Sequence, residues 1–292
     1  MKDFSYWQVY EGAAEGSGRS EKVWLINPDN GKIGLFKFKK DVSTTDHISE
    51  CIAYKLAITL GIPCAVFELG VYHNREGSMS YNIVTTGDQI LIEGINYINT
   101  FYPGYDAETF VDTNTGDLYS VEMVQRVTQG VFDFADFLHM LIFDFLIGNS
   151  DRHQSNWAVL YDNEKSSFAP LYDNGSSLCA FISDEQVSSY LGKDMVRWHS
   201  LVNTKSKSLI RRTVSDTKRP THLEMIHYLH DNYFEQTSTF SNKIVQNLLD
   251  KKIYEIIDDA SERLLSNSKR ELIFRFIREK ISMLKMIYGE KE

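Results

Sequence analysis

Asp151, Asn156 and Asp173 are the residues of this chain whose types and spacing best suit a chemical task. Asp151 opens the run Asp151-Arg152-His153-Gln154-Ser155-Asn156, directly after a stretch, residues 131–147, that is apolar nearly all round. Such a stretch reads as a helix buried in a core, so Asp151 sits in a loop on a rigid support. Residues 157–161 and 168–172 read as two short strands around a polar loop. If that loop is residues 162–167, Tyr161 faces Phe168, and counting back in register sets Asn156 opposite Asp173. An amide oxygen and a carboxylate then meet beside Asp151. Oxygen ligands of this kind suit Mg²⁺, which binds one or two carboxylates together with substrate phosphates. Asp151 stays free to orient a hydroxyl nucleophile, and the set fits phosphoryl transfer once a cation for the phosphates is found.

Lys37 is the candidate cation. It lies in a predicted strand, residues 33–38, between Phe36 and Phe38, and alternation puts it on the face opposite theirs. It could point at solvent or at a nucleotide. The following helix is capped at Asp46, carries Ile48, Ile52, Leu56 and Leu60 at i+4 spacing, and ends at Gly61 and Pro63. Glu50 lies roughly 140° from the centre of that apolar stripe at 100° per residue. A Lys37–Glu50 pair is compatible with this placement but not required by it. Upstream, Gly12-Ala13-Ala14-Glu15-Gly16-Ser17-Gly18-Arg19-Ser20 joins two strands. Its small residues would let backbone N–H groups approach phosphates. It does not fit G-x-x-x-x-G-K-[ST] and precedes a strand, which argues against a P-loop NTPase.

Further strands are expected at residues 4–10, 22–26, 81–84 and 89–93, with a turn at Pro28-Asp29-Asn30-Gly31, and amphipathic helix within residues 244–287. A strand-rich front and a helical back predict an α+β fold of two lobes, residues 1–96 and 97–292, with a cleft between them. Hydrophobic residues make up 42% of the 292-residue chain, enough for a sizeable core. The net charge of −9 argues against a broad nucleic-acid surface, so no direct DNA binding is expected. No apolar run approaches the ~20 residues of a membrane span, and no signal peptide is read in residues 1–12. Cys51, Cys64 and Cys179 are scattered, which suits a reducing cytoplasm.

The run Ile147-Gly148-Asn149-Ser150-Asp151-Arg152-His153-Gln154-Ser155-Asn156, followed by Phe168-Ala169-Pro170-Leu171-Tyr172-Asp173, resembles the catalytic core of the HipA-like serine/threonine kinases. Their pattern is N-x-D-x-H-x-x-N, then L-A-P-x-Y-D. The resemblance runs from about residue 12 to about residue 178. It implies a divergent two-lobed protein-kinase fold that uses ATP and Mg²⁺. Asp151 would be the catalytic base, Asn156 and Asp173 the Mg²⁺ ligands, and His153 a residue of the ATP phosphate region. Lys37 resembles the family's ATP lysine and Glu50 its helix glutamate. Ser17-Gly18-Arg19-Ser20-Glu21-Lys22 resembles its short phosphate loop, and Ile92-Glu93-Gly94-Ile95 falls where an adenine-binding hinge is expected, with Glu93 and Ile95 as contacts. Ser17 and Ser20 would be the candidates for self-phosphorylation. The resemblance also implies a protein substrate, an aminoacyl-tRNA synthetase among the candidates. It further implies a role as the toxin of a toxin–antitoxin pair, with a small antitoxin or a separate N-subdomain-like protein as partner. The chain ahead of the loop is too short for the extra subdomain of the long members.

The residues alone support phosphoryl transfer. A serine or threonine acceptor rests on the resemblance, and a small-molecule or lipid kinase would use the same parts. A pseudokinase acting as a binding module is disfavoured by the intact Asp151, Asn156, Asp173 and Lys37. Asp144, inside the apolar helix, reads as a hydrogen-bonded structural carboxylate. His222 and His227 stand at i,i+5, which is not the H-E-x-x-H spacing of a zinc site. Residues 193–219 hold eight Lys/Arg against two Asp. That run reads as an exposed helix and loop, with docking of an acidic protein, or of RNA bound to one, as the alternative.

Overall fold

Aromatic residues on alternating strand positions build the first layer. The computed structural model of the chain describes residues 1–12, 21–193, 195–261 and 264–289. Among these, the larger sheet runs in the order β1-β5-β6-β4-β3-β2. Its strands are β1 (Lys2–Asp3), β2 (Gln8–Val9), β3 (Lys22–Ile26), β4 (Ile33–Phe38), β5 (Phe67–Tyr72) and β6 (Arg75–Tyr81). Phe36 and Phe38 face a small core with Phe4, Trp7, Leu25, Tyr72, Met79 and Tyr81. The intervening Lys37 points to the other face, as strand alternation requires.

Several strands differ from expectation, each for a local reason. The stretch 4–10 is not one strand. The Asp3 carboxylate accepts from the Ser5 amide and turns the chain, so Phe4 and Trp7 become core residues between two short strands. The strand β5 was not anticipated, and the strand expected at 81–84 ends at Tyr81 as β6. These two strands meet through His73 and Asn74, both at positive φ (48° and 62°). Positive φ at both central positions suits a two-residue hairpin, and His-Asn carries a weaker sequence signal for it than Asn-Gly.

Helix α1 (Asp46–Thr59) follows β4, with Thr45 rather than Asp46 in the capping position. It is buried on more than one side, because β5 and β6 cover it from one direction and α9 (Asp250–Ser261) from another. Glu50, on the side turned to Lys37 of β4 and to the segment 173–175, is in the interior, 2% exposed. A three-stranded sheet, β11-β10-β7, joins β7 (Gln89–Glu93), β10 (Ala158–Asp162) and β11 (Lys165–Phe168). Helix α2 (Gly94–Phe101) starts directly after β7. A Cβ at Gly94 would meet the Trp157 indole at 2.2 Å, so only glycine lets this junction close. The main core gathers α1, α3 (Val121–Val127), α4 (Phe134–Ile147), α7 (His222–Asn232), α8 (Phe234–Asn247), α9 and α10 (Asn267–Tyr288).

The α4 helix is the platform of the loop that follows it. Asp133 caps its start by accepting from the Ala135 amide, and Gly148 ends it at φ +70°. Inside it, Asp144 is buried and forms a fork with the buried Arg152: Nε to Oδ2 at 3.0 Å and Nη2 to Oδ1 at 2.7 Å. Arg152 also donates to the Asn156 carbonyl (2.8 Å), the Tyr172 carbonyl (2.8 Å) and the Asn174 side-chain oxygen (2.7 Å). One guanidinium therefore ties the helix, the loop after it and the segment after β11.

Two changes test this framework. Asp144→Asn leaves the Arg152 charge buried without its counter-charge, and should cost about 3–5 kcal/mol in urea unfolding. Gly148→Ala forces a Cβ into left-handed backbone and to 2.6 Å from the Phe276 ring, and should cost about 1–3 kcal/mol. A loss under ~0.5 kcal/mol in either variant would contradict the corresponding role.

Candidate active site

Lys37 reaches from β4 to two carboxylates. Its Nζ lies 3.2 Å from Glu50 Oε1 on α1 and 2.7 Å from Asp173 Oδ1. Glu50 Oε2 accepts from the Asn174 backbone N–H at 2.8 Å. The two arms of Glu50 thus link the sheet lysine to the Asp173-Asn174 segment. Asp173 itself has φ 55°, a left-handed conformation that Asp tolerates better than most side chains.

The expected hairpin register is corrected here. Tyr161 pairs with Ser166 and Val159 with Phe168, so the turn is the two residues Asn163 and Glu164. Asn156 is not laddered against Asp173. The strand ends at Phe168, and Leu171 instead bridges Cys64, giving its N–H to the Pro63 carbonyl and taking the Ala65 N–H. Asn156 and Asp173 are brought to one place by Arg152, which holds the Asn156 carbonyl and the carbonyl of Tyr172 with the same nitrogen.

The Asp151 loop is closed on itself. The His153 amide donates to the Asp151 carbonyl, the Asn156 amide to the His153 carbonyl, and Asn156 Nδ2 to the Asp151 carbonyl at 2.8 Å. Fixing Nδ2 this way orients the Asn156 amide, and its Oδ1 accepts from no donor among the described residues. From the helix side, Asn149 gives its Nδ2 to Asp144 Oδ1 (3.1 Å) and accepts the Asp151 N–H on its Oδ1 (3.1 Å). The Asp151 side chain makes no hydrogen bond to any of the described residues, and the residue is exposed.

The charges of the cluster shape one another. Burial pushes the Asp173 carboxyl up, but Lys37 outweighs it, helped by Arg152 and His153, and holds it at about 2. Burial pushes the Lys37 ammonium down, and Asp173 and Glu50 more than reverse that. The Glu50 carboxyl is raised, by burial first and by Asp173 in addition, with Lys37 opposing. Asp151 is raised above the ordinary 3.8, again by burial first, with Asp173 adding to it and His153 opposing. Although its surface is open, Asp151 is crowded by its own loop and by a second carboxylate.

Lys22 pairs in register with Lys37 across β3 and β4. Burial and the nearby Lys37 lower its ammonium, while Asp173 and Glu93 raise it, which places Glu93 and Lys22 around the same opening. The Gly94 amide donates to the Trp157 carbonyl and the Ile95 amide to the Gln154 carbonyl, each at 2.9 Å. The Ile95 amide is therefore already committed to the Gln154 carbonyl. Ser17, Gly18, Arg19 and Ser20 lie outside the described residues.

Four contributors escaped the sequence reading: Arg152, Asn149, Asn174 and His222. Arg152 had a usable signal, since a carboxylate inside an apolar helix needs a buried donor and an arginine stands eight residues on. His222 is buried, meets the Asn149 carbonyl through Nε2 at 2.9 Å and contacts Ser206 Oγ through Nδ1 at 2.9 Å.

Comparison with known proteins identifies the family and the fold. Residues 15–252 match the HipA-like C-terminal domain. The chain is 26% identical over 166 residues to the serine/threonine-protein kinase CtkA of Helicobacter pylori (strain J99), covering 54% of this chain. That alignment takes in 49% of the relative, so the chain spans about half the length of the curated relative it matches. Among solved structures, the Helicobacter pylori proinflammatory kinase CtkA is similar with a TM-score of 0.81 at 19% identity, covering 100% of this chain and 99% of that one. HipA of Shewanella oneidensis MR-1, solved with HipB and operator DNA, gives a TM-score of 0.54 at 13% identity, covering 94% of this chain and 65% of that one. The α+β kinase-like fold expected from the sequence is thus the fold of this chain, which belongs to the HipA-like C-terminal domain family.

Proposed function

We propose that this protein is an ATP- and Mg²⁺-dependent serine/threonine protein kinase. The observation that carries the reading is Lys37 held between Glu50 and Asp173, with the Asp151 carboxylate and the Asn156 Oδ1, both unpaired among the described residues, beside them. The curated relative CtkA is a serine/threonine-protein kinase, which supports the same acceptor here. The proposal keeps the division into lobes at residues 1–96 and 97–292, with the nucleotide between them.

The donor set fits Mg²⁺. Asn156 Oδ1 is an unused hard oxygen, and the Asp173 side chain is 42% exposed and ionised well below neutral pH. A site with few protein ligands is what Mg²⁺ takes when phosphates and water complete its shell. When bound, the ion supplies positive charge to the phosphate oxygens. Lys37 has three N–H donors and spends two on carboxylates, which leaves one for a phosphate oxygen. Glu50, buried and anchored by the Asn174 amide, fixes where that ammonium stands. Asp151 accepts the hydrogen bond of the serine or threonine hydroxyl and aims its oxygen at the γ-phosphorus. As the new P–O bond forms and the bond to ADP breaks, Asp151 takes the hydroxyl proton. His153, close enough to shift both Asp151 and Asp173, lines the phosphate side.

Self-phosphorylation at Ser17 or Ser20 belongs to this proposal, as does a small antitoxin-like partner, since the HipA neighbour was solved with HipB. An aminoacyl-tRNA synthetase is one candidate acceptor.

Incubation with γ-labelled ATP and Mg²⁺ tests the reading. Wild type should label itself or a protein in a lysate, Asp151→Asn should lose about 10²–10⁴ in rate, and Lys37→Met about 10²–10³. Absence of label from wild type would refute the activity. The pH profile gives a second check. Asp151 must be ionised to accept the proton, and its carboxyl is raised, so activity should fall on acidification at a pH above the ordinary carboxylate range. An acid limb at or below pH 3.8 would show that Asp151 does not set the rate.

A further inference from the structure

The basic segment after α6 (Met195–His199) carries charge that the phosphoryl-transfer site does not use. An open hollow of about 630 Å³ is lined there by Lys207, Arg212, Lys218 and Arg219, together with Asp216 and Glu224. The two acids are already engaged. Asp216 is bound by Arg212 Nε at 2.7 Å, and Glu224 closes the cap of α7 by accepting the Thr221 N–H at 2.7 Å. Lys207, Lys218, Arg211 and Arg219 form no ion pair among the described residues.

Arg219 connects this hollow to the catalytic loop. Its Nε donates to the Ser208 carbonyl and its Nη2 to the carbonyl of Ser150, each at 3.1 Å, and Ser150 immediately precedes Asp151. Arg211 stands near enough to Arg219 to lower it, adding to the larger effect of burial, while Asp151 pulls the other way. Arg211 Nε and Nη1 are buried and have no hydrogen-bond partner. Two guanidiniums thus carry like charge within electrostatic reach of one another, neither in an ion pair among the described residues, and one of them has two orphaned donors. Buried donors left unmatched and like charges held together both cost free energy, and an anion placed between them recovers it. A carboxylate is the natural match for a guanidinium fork.

We infer that Arg211, Arg219, Lys207 and Lys218 form a subsite for acidic side chains, Asp or Glu, flanking the acceptor hydroxyl of a protein substrate. The inference rests on the kinase reading, because it takes the acceptor hydroxyl to lie at Asp151. Arg219 touches the residue before Asp151, so a side chain within a few residues of the acceptor reaches the basic group. The whole-chain charge of −9 makes this local basic surface selective, since an acidic partner is repelled elsewhere.

The test uses fluorescent serine peptides with Glu on both sides of the acceptor, and matched peptides with Gln or Lys instead. Binding is read by anisotropy and phosphorylation in parallel, so a protein that binds without transferring phosphate would sink the kinase reading and leave the subsite standing. Wild type should bind the Glu peptide roughly tenfold more tightly than the Gln peptide at low salt, and the gap should narrow as salt rises. Arg211→Gln should close most of the gap. Lys218→Glu, at an exposed position, should reverse the preference toward the Lys peptide, a result that loss of folding cannot produce. Equal binding of Glu and Gln peptides by wild type would overturn the proposal. So would tighter binding of a single-stranded RNA oligonucleotide that is lost in the same variants, since the occupant would then be RNA.

Discussion

The buried Arg152–Asp144 fork is the constraint on which the rest of the site depends. A guanidinium inside a core is expensive to desolvate, and an ion pair there is tolerated only with full hydrogen bonding and good geometry. Arg152 meets that condition with Asp144, the carbonyls of Asn156 and Tyr172, and the Asn174 side chain. These acceptors come from α4, the Asp151 loop and the segment after β11, which no strand ladder joins at this point. Mutual satisfaction of one cation therefore sets the relative position of Asn156 and Asp173. The same cation helps keep the Asp173 carboxyl ionised, so position and charge are controlled together.

The carboxylates around Lys37 outnumber it. Glu50, Asp173 and Asp151 all lie within reach of one ammonium or of one another, and their mutual repulsion shows in the upward push that Asp173 exerts on the other two. Lys37 stabilises the protein-only arrangement by bridging Glu50 and Asp173. Excess negative charge at the Asp151 end suits a site completed by a divalent cation, and it disfavours polyanionic phosphates that arrive without one. The burial of Glu50 and the partial exposure of Asp173 divide the work: one carboxylate positions the lysine, the other faces the opening.

The residues that meet at this site were more legible in the sequence than the contacts that bring them together. Alternation along β4 placed Lys37 opposite Phe36 and Phe38 because period two is a property of the strand itself. Glu50 was ambiguous because a single helix shows only its own apolar stripe, and its burial depends on the Asp173-Asn174 segment, more than a hundred residues later. The hairpin register was displaced by two residues, which preserves which face a side chain occupies, so Asn156 and Asp173 came out as neighbours for the wrong reason. The true reason, Arg152, is a long-range convergence that spacing does not encode.

Support for the Asp151 loop also comes from the opposite side, and there the directions of the hydrogen bonds are forced. The Asn149 carbonyl can only accept, so His222 must carry its proton on Nε2. A neutral ring then has an acceptor at Nδ1, which takes the Ser206 hydroxyl proton. The Ser206 oxygen is left to accept from Lys280 at 3.0 Å, and Lys280 also donates to the Val202 carbonyl at 2.6 Å. Burial, aided by Lys280, holds the His222 ring down at about 3, so this single arrangement persists across ordinary pH. Because the Asn149 carbonyl is held by His222, its side chain is free to bridge Asp144 and the Asp151 amide. The loop is thus gripped through one asparagine from two directions, by α4 below and by α7 and α10 behind, and Asp151 can present a carboxylate with no hydrogen-bond partner among the described residues without the loop collapsing onto it.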